Sequence, residues 1–453
     1  MQTVRDRTSN RSLMLGDKLP SIRKMAEVMG VSNSTVVDAY DRLVADGVIR
    51  SKRGSGYFVS APSAPLKLAE IKPKLDREVD PFWVSRQSLD AKPDAIMPGC
   101  GWLPSSWMPN DALRKAMRKL ARSDNNLLTD YGSTKGSIKL RRWLSRQSAA
   151  EGLPIDQEQV LLTTSGTQAI DLICRLLLKP GDCVLVDDPC YFNFQALLKA
   201  HQVKVVGVPF GQNGSDIDVF RASIDEHRPR IYITNSALHN PTGGTISAQL
   251  AHKLIVEATA GDVVIVEDNI FADFEPEPST RMAVLDGLEN VIRIGSFSKT
   301  LSASVRCGYI SAKPEWIEAL VDLQVATNFG GPSPLASELV YLTLSSGSYR
   351  KHMEALRRRL DQKRTETANH LEHLGLEITV RPRGGFYLWC KLPDGLDSTI
   401  LAKSALEKGV VLAPGNVFSP SLSKDNHMRF NVSQMEKKAL DVVEAAIHHL
   451  NKN

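Results

Sequence analysis

The stretch Val291-Ile292-Arg293-Ile294-Gly295-Ser296-Phe297-Ser298-Lys299-Thr300 sets a lysine among hydroxyl side chains directly after a short apolar run. Seven residues on, Arg306 stands in Val305-Arg306-Cys307-Gly308-Tyr309. The β-branched run predicts a strand over Val291–Gly295, which puts Lys299 at a strand end. An amine there can form a Schiff base with an aldehyde, while hydroxyls and a guanidinium can hold a phosphate. Taken alone the pattern is weak, because most lysines are simply solvated. Its meaning depends on the rest of the chain.

Around it the pattern alternates. Val160–Thr164 reads as a strand, followed by a helix from Thr167 to Leu178, the turn Pro180-Gly181-Asp182 and a strand over Cys183–Val186. Val203–Val208, Ile231–Thr234 and Val263–Val266 repeat the strand theme, with helical segments between most of them. Strands separated by helices predict an α/β fold with a mostly parallel sheet covered on both faces. From Gly384 onward, shorter elements suggest a smaller α/β unit that ends in a helix over 436–450.

Other polar groups stand at the ends of those strands. Ser165-Gly166-Thr167-Gln168 joins a strand to a helix, whose first N–H groups and dipole favour a phosphate. Asp187-Asp188-Pro189-Cys190-Tyr191 offers an aromatic ring, His239-Asn240-Pro241-Thr242-Gly243-Gly244 an amide, and Glu267-Asp268-Asn269 a carboxylate. Arg429 lies late, in Met428-Arg429-Phe430. Singly, Tyr191 or Asn240 reads as a packing or turn residue, Asp268 as a helix cap and Arg429 as a surface charge. Together they read as one site.

Composition bounds the class. At roughly 100–200 residues per domain, the 453 residues suggest two to four domains. Apolar residues make up 42% and charged residues 24%, which excludes a disordered chain, a collagen-like repeat or a small disulfide scaffold. The longest apolar runs fall far short of a membrane span of roughly 20 residues, and Met1-Gln2-Thr3-Val4-Arg5-Asp6 does not read as a signal peptide. Six cysteines without a C-x-x-C spacing fit a reducing cytosol.

Charge is uneven. Residues 1–60 hold ten Lys or Arg against six Asp or Glu, so +4 of the net +5 sits in the first 60 residues. A basic head suggests a polyanionic partner, although a solvated basic face has the same composition. Prolines at 62, 65, 73 and 81 mark 61–81 as an extended linker. The predicted organisation is a head over 1–60, that linker, and a body over 82–453. The body divides into a large part over about 125–330 and a small part over 331–453.

In the head, Ser21–Met29 has helical spacing, Gly30-Val31 ends it, and Ser32 stands as N-cap of a helix through Ala45. Two short helices around a glycine turn form a helix-turn-helix pattern. Lys52-Arg53-Gly54-Ser55-Gly56 is the basic tip of a hairpin. A protein–protein module is the other reading of this pattern. However, Gly16-Asp17-Lys18-Leu19-Pro20-Ser21-Ile22-Arg23, Thr35–Leu43 and Gly54-Ser55-Gly56-Tyr57-Phe58-Val59 resemble the GntR-type winged helix-turn-helix. The resemblance implies DNA contacts from Arg23, from Ser32, Asn33, Ser34 and Thr35, and from the wing residues Arg53, Gly54, Ser55 and Gly56. One departure is that only about fifteen mostly polar residues precede Gly16, where that family carries a longer amphipathic helix.

From about Pro98 onward the six motifs resemble the pyridoxal-phosphate aminotransferases of the aspartate-aminotransferase fold, nearest the branch of the 2-aminoadipate and kynurenine enzymes. The fusion of both resembles the MocR-type transcriptional regulators. This implies pyridoxal 5'-phosphate linked to Lys299, Asp268 on the pyridine nitrogen, Tyr191 on the ring face and Asn240 on the 3-oxygen. It implies a phosphate held by Ser165, Gly166, Thr167, Gln168, Ser296, Ser298 and Arg306, and by Tyr131 across a dimer interface. Arg429 would anchor a carboxylate bidentately.

A second departure is Phe271, where those aminotransferases usually carry a tyrosine that also bonds the 3-oxygen. The functional expectation is a cytoplasmic, homodimeric regulator that binds operator DNA and senses an amine or amino acid by Schiff-base exchange. A working aminotransferase with an autoregulatory head is the alternative. A DNA-binding protein whose body only dimerises is less well supported, given Lys299 and Asp268.

Overall fold

The computed structural model describes residues 4, 13, 15–52, 54–60, 79–91, 95–123 and 125–450. In the head, Ser21 caps the helix Ile22–Met29, its hydroxyl accepting from the Lys24 amide at 3.4 Å. Gly30 closes that helix at φ 63°, a left-handed conformation open to glycine at little cost. The Ser32 hydroxyl accepts from the Thr35 amide at 3.2 Å and starts the helix Asn33–Ala45. Leu19, Ala26, Val36, Tyr40, Leu43 and Ile49 pack into the head's core, and the Tyr40 hydroxyl donates to the Pro20 carbonyl at 2.9 Å. Strands β1 (Ile49–Lys52) and β2 (Gly56–Val59) pair antiparallel, with Ile49 opposite Val59. Gly16–Leu19 runs along the other edge of β2, its Leu19 amide donating to the Tyr57 carbonyl at 2.8 Å.

Of the predicted linker, 61–78 lies outside the described residues. Its last residue is not linker: Pro81 opens a helix, Pro81–Leu89, capped by Asp80, which accepts from the Trp83 amide at 2.7 Å. Proline is suited to a first helical turn, where its missing N–H costs nothing. Trp83 and Val84 of that helix are buried against Phe192 and Phe418.

The body's main sheet holds β3 (Val160–Thr163), β4 (Cys183–Asp188), β5 (Lys204–Gly211), β6 (Gly214–Ser215), β7 (Ile231–Thr234), β8 (Val264–Asp268), β9 (Val291–Ser296) and β10 (Gly308–Ser311). Their order is β3-β10-β9-β8-β7-β4-β5-β6. The run from β9 through β5 is parallel, while β10 lies antiparallel between β9 and β3. Alternate residues face two cores: Leu185, Tyr232 and Ile265 point to one, Val186, Ile233 and Val266 to the other. That double burial explains why the strands read as continuous apolar runs.

The sequence pattern gave no sign of β10, which is only Gly308-Tyr309-Ile310-Ser311. Its first residue is held by close approach. A Cβ on Gly308 would stand 2.9 Å from the Ser165 carbonyl carbon and 3.1 Å from the Gly166 nitrogen.

The smaller sheet, β11 (Glu377–Ile378), β12 (Tyr387–Lys391), β13 (Ala413–Pro414) and β14 (His427–Asn431), is antiparallel in the order β11-β12-β14-β13. The chain before the large sheet reaches it too, since the Gly99 amide donates to the Val411 carbonyl at 2.8 Å. The predicted small part begins at about residue 331. Helix Pro334–Leu344 packs on Asn110–Leu120 and Ile138–Ala150, away from the small sheet, and Gly347–His373 then bridges the two parts. Apolar periodicity marks such a helix but does not say which core it joins.

Replacing Gly308 with valine should force β10 off the start of helix Gly166–Leu177 and lower stability by about 1–3 kcal/mol, the usual cost of overpacking. A denaturant midpoint equal to that of the unsubstituted protein would contradict this packing.

Candidate functional site

Five strand ends and the small sheet enclose one cavity. Its wall includes Ser165, Gly166, Thr167, Tyr191 and Asn240 from the loops after β3, β4 and β7. Asp268, Ser296, Ser298, Lys299 and Arg306, also singled out in the sequence, line it too, with Phe271 beside them.

The Lys299 amine donates to the Gly101 carbonyl at 2.5 Å. Loss of hydration lowers its pKa to about 8; Cys100 and Asp268 oppose that shift, and Arg429 and Arg306 reinforce it. Asp268 is pushed the other way. Burial raises its carboxyl to about 6, against the Ile270 amide, which donates to it at 3.0 Å, and the nearby Asn235 and Lys299. Asn235 also donates to the Asp268 carbonyl at 3.0 Å, fixing the end of β8.

At the other end of the cavity, the Ser165 hydroxyl caps helix Gly166–Leu177 by accepting from the Gln168 amide at 3.1 Å. A Cβ on Gly166 would lie 3.8 Å from the Ser296 Cβ, so the end of β9 stands against the helix's first turn. Ser296 and Ser298 hydroxyls are 3.0 Å apart. Tyr191 is held by its neighbours: the Cys190 amide donates to the Phe418 carbonyl at 2.8 Å, and Gln195 donates to the Val417 carbonyl at 3.2 Å.

Three of the singled-out residues stand elsewhere. Gln168 turns back from the cavity, its side-chain oxygen accepting from the Thr164 amide at 2.6 Å and hydroxyl at 2.9 Å. The side chain thus braces the helix start. Tyr131 is 82% exposed and meets the Phe329 ring edge-on at 5.1 Å, in a groove with Pro332 and Pro334. Arg429 is fully buried behind the wall, donating to the Asn240 side-chain oxygen at 2.8 Å and to the Gly99 carbonyl at 2.6 Å.

Among the cavity residues that were not foreseen are Asn193, Asn235, Ile270 and Tyr387. Tyr387 follows Gly384-Gly385-Phe386, and a glycine pair before an aromatic strand was its available signal. Phe271 is buried edge-on against Phe386 and Tyr387, with ring centroids at 5.7 and 5.4 Å.

In the head, Arg23 and the run Ser32, Asn33, Ser34 and Thr35 are exposed. The Ser32 hydroxyl is partly spent on its neighbours, 2.7 Å from that of Ser34 and 2.8 Å from that of Thr35. Gly54 and Gly56 shape the wing tip at φ 75° and 105°, with Ser55 between them. Arg53 lies outside the described residues.

An amine near pKa 8, a carboxylate facing the same cavity, and a helix start flanked by two serines and an arginine form a donor set that fits pyridoxal phosphate. Fold and site define an aminotransferase-like body joined to a winged helix-turn-helix head. Residues 102–447 match the aminotransferase class I and II family, and the chain belongs to it. Residues 1–59 match the bacterial regulatory proteins of the gntR family.

Relatives share both halves. YdfD of Bacillus subtilis, an uncharacterized HTH-type transcriptional regulator, is 28% identical over 94% of this chain and 90% of its own length. The HTH-type transcriptional regulator NorG of Staphylococcus aureus is 28% identical over 91% of this chain and 95% of its own. Among solved structures, the alpha-aminoadipate aminotransferase LysN of Thermus thermophilus, complexed with N-(5'-phosphopyridoxyl)-L-leucine, superposes with a TM-score of 0.74 at 25% identity. That match covers 84% of this chain and 96% of LysN. The Pyrococcus horikoshii kynurenine aminotransferase, at TM-score 0.75 and 23% identity over 85% of this chain and 97% of its own, shares the fold. No helix among the described residues is long and apolar enough to cross a membrane.

The Lys299 amine must shed its proton before it can attack an aldehyde. Covalent capture of pyridoxal phosphate by the cofactor-free protein should therefore speed up as pH rises through about 8, and Lys299→Ala should abolish it. A rise only above pH 10, as for a solvated lysine at about 10.4, would contradict the site's electrostatics.

Proposed function

We propose that this chain is a DNA-binding transcriptional regulator whose body holds pyridoxal phosphate at Lys299 and senses an amine or amino acid by exchange at that lysine. The observation that carries this reading is a complete Lys299–Asp268 cavity in a chain that begins with an exposed winged helix-turn-helix. The regulator names of relatives spanning both halves support it.

When bound, pyridoxal phosphate supplies an aldehyde carbon that can carry one amine at a time. Near neutral pH the Lys299 amine can gain or lose its proton at little cost, which suits a group that must leave and return. Asp268, ionised above about pH 6, would pair with the pyridine nitrogen. Arg429 occupies the oxygen of the Asn240 amide, so its nitrogen is the end left to donate to the ring's 3-oxygen. Tyr191 would cover the ring face. Thr167, Ser296, Ser298, Arg306 and the first amides of the helix would hold the phosphate. Tyr131, exposed as it is, would serve a partner subunit's phosphate in a homodimer. The cytoplasm is the compartment this reading requires.

Phe271 favours sensing over turnover. It brings no hydroxyl to the 3-oxygen, so the donor support there rests on Asn240, and steps that need fine control of the ring's charge should be slow. A working aminotransferase remains the second reading, because Lys299, Asp268 and Arg429 are all present in the body. Sustained turnover of amino acids at the about 1–10³ per second typical of enzymes would favour it over the regulator.

The test uses a DNA fragment selected by the protein from a random pool. Arg23→Ala should weaken binding and lower the salt slope by about one unit, leaving cofactor absorbance unchanged. Lys299→Ala should bind the fragment but lose any response to added amines or amino acids. Equal affinity in the Arg23 variant removes that residue from the DNA interface; a preserved response in the Lys299 variant overturns the sensing mechanism.

A further inference from the structure

A second cavity, of about 370 Å³, lies behind the first, and Ile270 and Ser296 belong to both walls. Alternation along the paired strands β8 and β9 separates the two. Asp268 lines the first cavity, whereas the next residue, Asn269, and Arg293, which stands opposite Glu267, line the second. Helices Ile138–Ala150 and Gly347–His373 supply the outer walls, with Gln147 and Arg350 exposed to solvent. Tyr309 forms another wall. A Cβ on Gly295 would stand 2.5 Å from its ring, so the glycine makes room for it.

These walls hold buried polar groups that the protein itself leaves unpaired. Arg293 is only 4% exposed, and its Nη2 forms an ion pair with Glu151 at 2.6 Å. Its Nε and Nη1 find no hydrogen-bond partner among the described residues. Asn269 is 6% exposed, and neither end of its side-chain amide finds a partner there either. The two belong together, since the Asn269 backbone amide donates to the carbonyl of Ile294, the residue after Arg293, at 2.9 Å. Buried donors without partners are costly and rare, and a charged one most of all.

Charge decides what the cavity takes. Its lining carries three arginines, 293, 350 and 357, against two carboxylates, Glu151 and Asp273, an excess of one positive charge. Glu151 is already committed to Arg293, and Arg357 donates to the Asp273 carbonyl at 2.9 Å. A cation would be repelled by the buried guanidinium. An oxyanion would meet its unpaired N–H groups and the Asn269 amide in charge-assisted hydrogen bonds.

We propose that this cavity is a second ligand site, in which Arg293 and Asn269 take the oxyanion, a carboxylate or a phosphate, of a small molecule. The site goes beyond the exchange proposed at Lys299 and does not depend on it.

The test titrates the cofactor-loaded full chain by calorimetry with inorganic phosphate and, separately, with malonate. Both titrations are repeated on Asn269→Ala and Arg293→Met. The asparagine variant keeps the Arg293–Glu151 ion pair, so it decides the matter if the methionine variant, with Glu151 left unpaired, does not fold. The unsubstituted protein should bind at least one of the two probes, phosphate if the natural ligand is a phosphate ester and malonate if it is a carboxylate. Asn269→Ala should weaken that probe by about tenfold or more, the worth of a hydrogen bond to a charged group, and Arg293→Met should abolish its binding. No binding of either probe means that the cavity holds solvent alone and overturns the proposal. Unchanged affinity in Asn269→Ala places the anion elsewhere and overturns it as well.

Discussion

Enclosing the Lys299 amine with a neutral carbonyl as its hydrogen-bond partner is the arrangement on which the rest of the body depends. Removing an ammonium from water without a direct counter-charge disfavours the charged form, and here it brings the amine to about 8. The same desolvation brings Asp268 up to about 6. Two groups that would differ widely in water are drawn toward each other around neutrality, the condition for moving a proton there. Each requires walls from distant parts of the chain. Parallel pairing of β8 with β9, Asp268 opposite Ile294, sets the carboxylate beside the strand that leads to Lys299. Gly101 reaches the amine from the segment that also joins the small sheet. The cavity exists because the two sheets are held together, by contacts such as the Ser419 hydroxyl donating to Asp188 at 2.7 Å.

Much of this was legible in the sequence, for physical reasons. Strands buried on both faces leave unbroken apolar runs, so β3, β4, β7, β8 and β9 could be read directly, as could their polar ends. The cap Ser32 was legible because a short hydroxyl side chain suits an unpaired helix amide. What the pattern does not encode is where a side chain points. Gln168 stands at the right position, but its own strand end offers the Thr164 amide and hydroxyl, and the side chain folds back to them. Arg429 sits on β14 opposite Trp389 and Ala413, and that register buries it. A motif supplied its charge but not its depth. Tyr387 carried no motif, and its place beside Gly101 is a product of tertiary packing.

The aromatic wall links these points. Phe271 meets Phe386 and Tyr387 edge-on, and those two rings are tilted against each other, so the hydroxyl absent at position 271 stands next door to one present at 387. The two are not interchangeable. A phenol at 271 would act on the ring's 3-oxygen, whereas the Tyr387 hydroxyl shares Gly101 with the lysine amine. On the proposed reading the chain has less means to tune the ring, which suits a site that holds its ligand and reports it.

The central claim is that exchange at Lys299 governs DNA binding. It is tested most directly by recording cofactor absorbance and the fluorescence anisotropy of a labelled DNA fragment on one sample, as L-leucine or L-alanine is added. The account predicts that both signals change with a common midpoint. An absorbance change that runs to saturation while DNA affinity stays constant would contradict it.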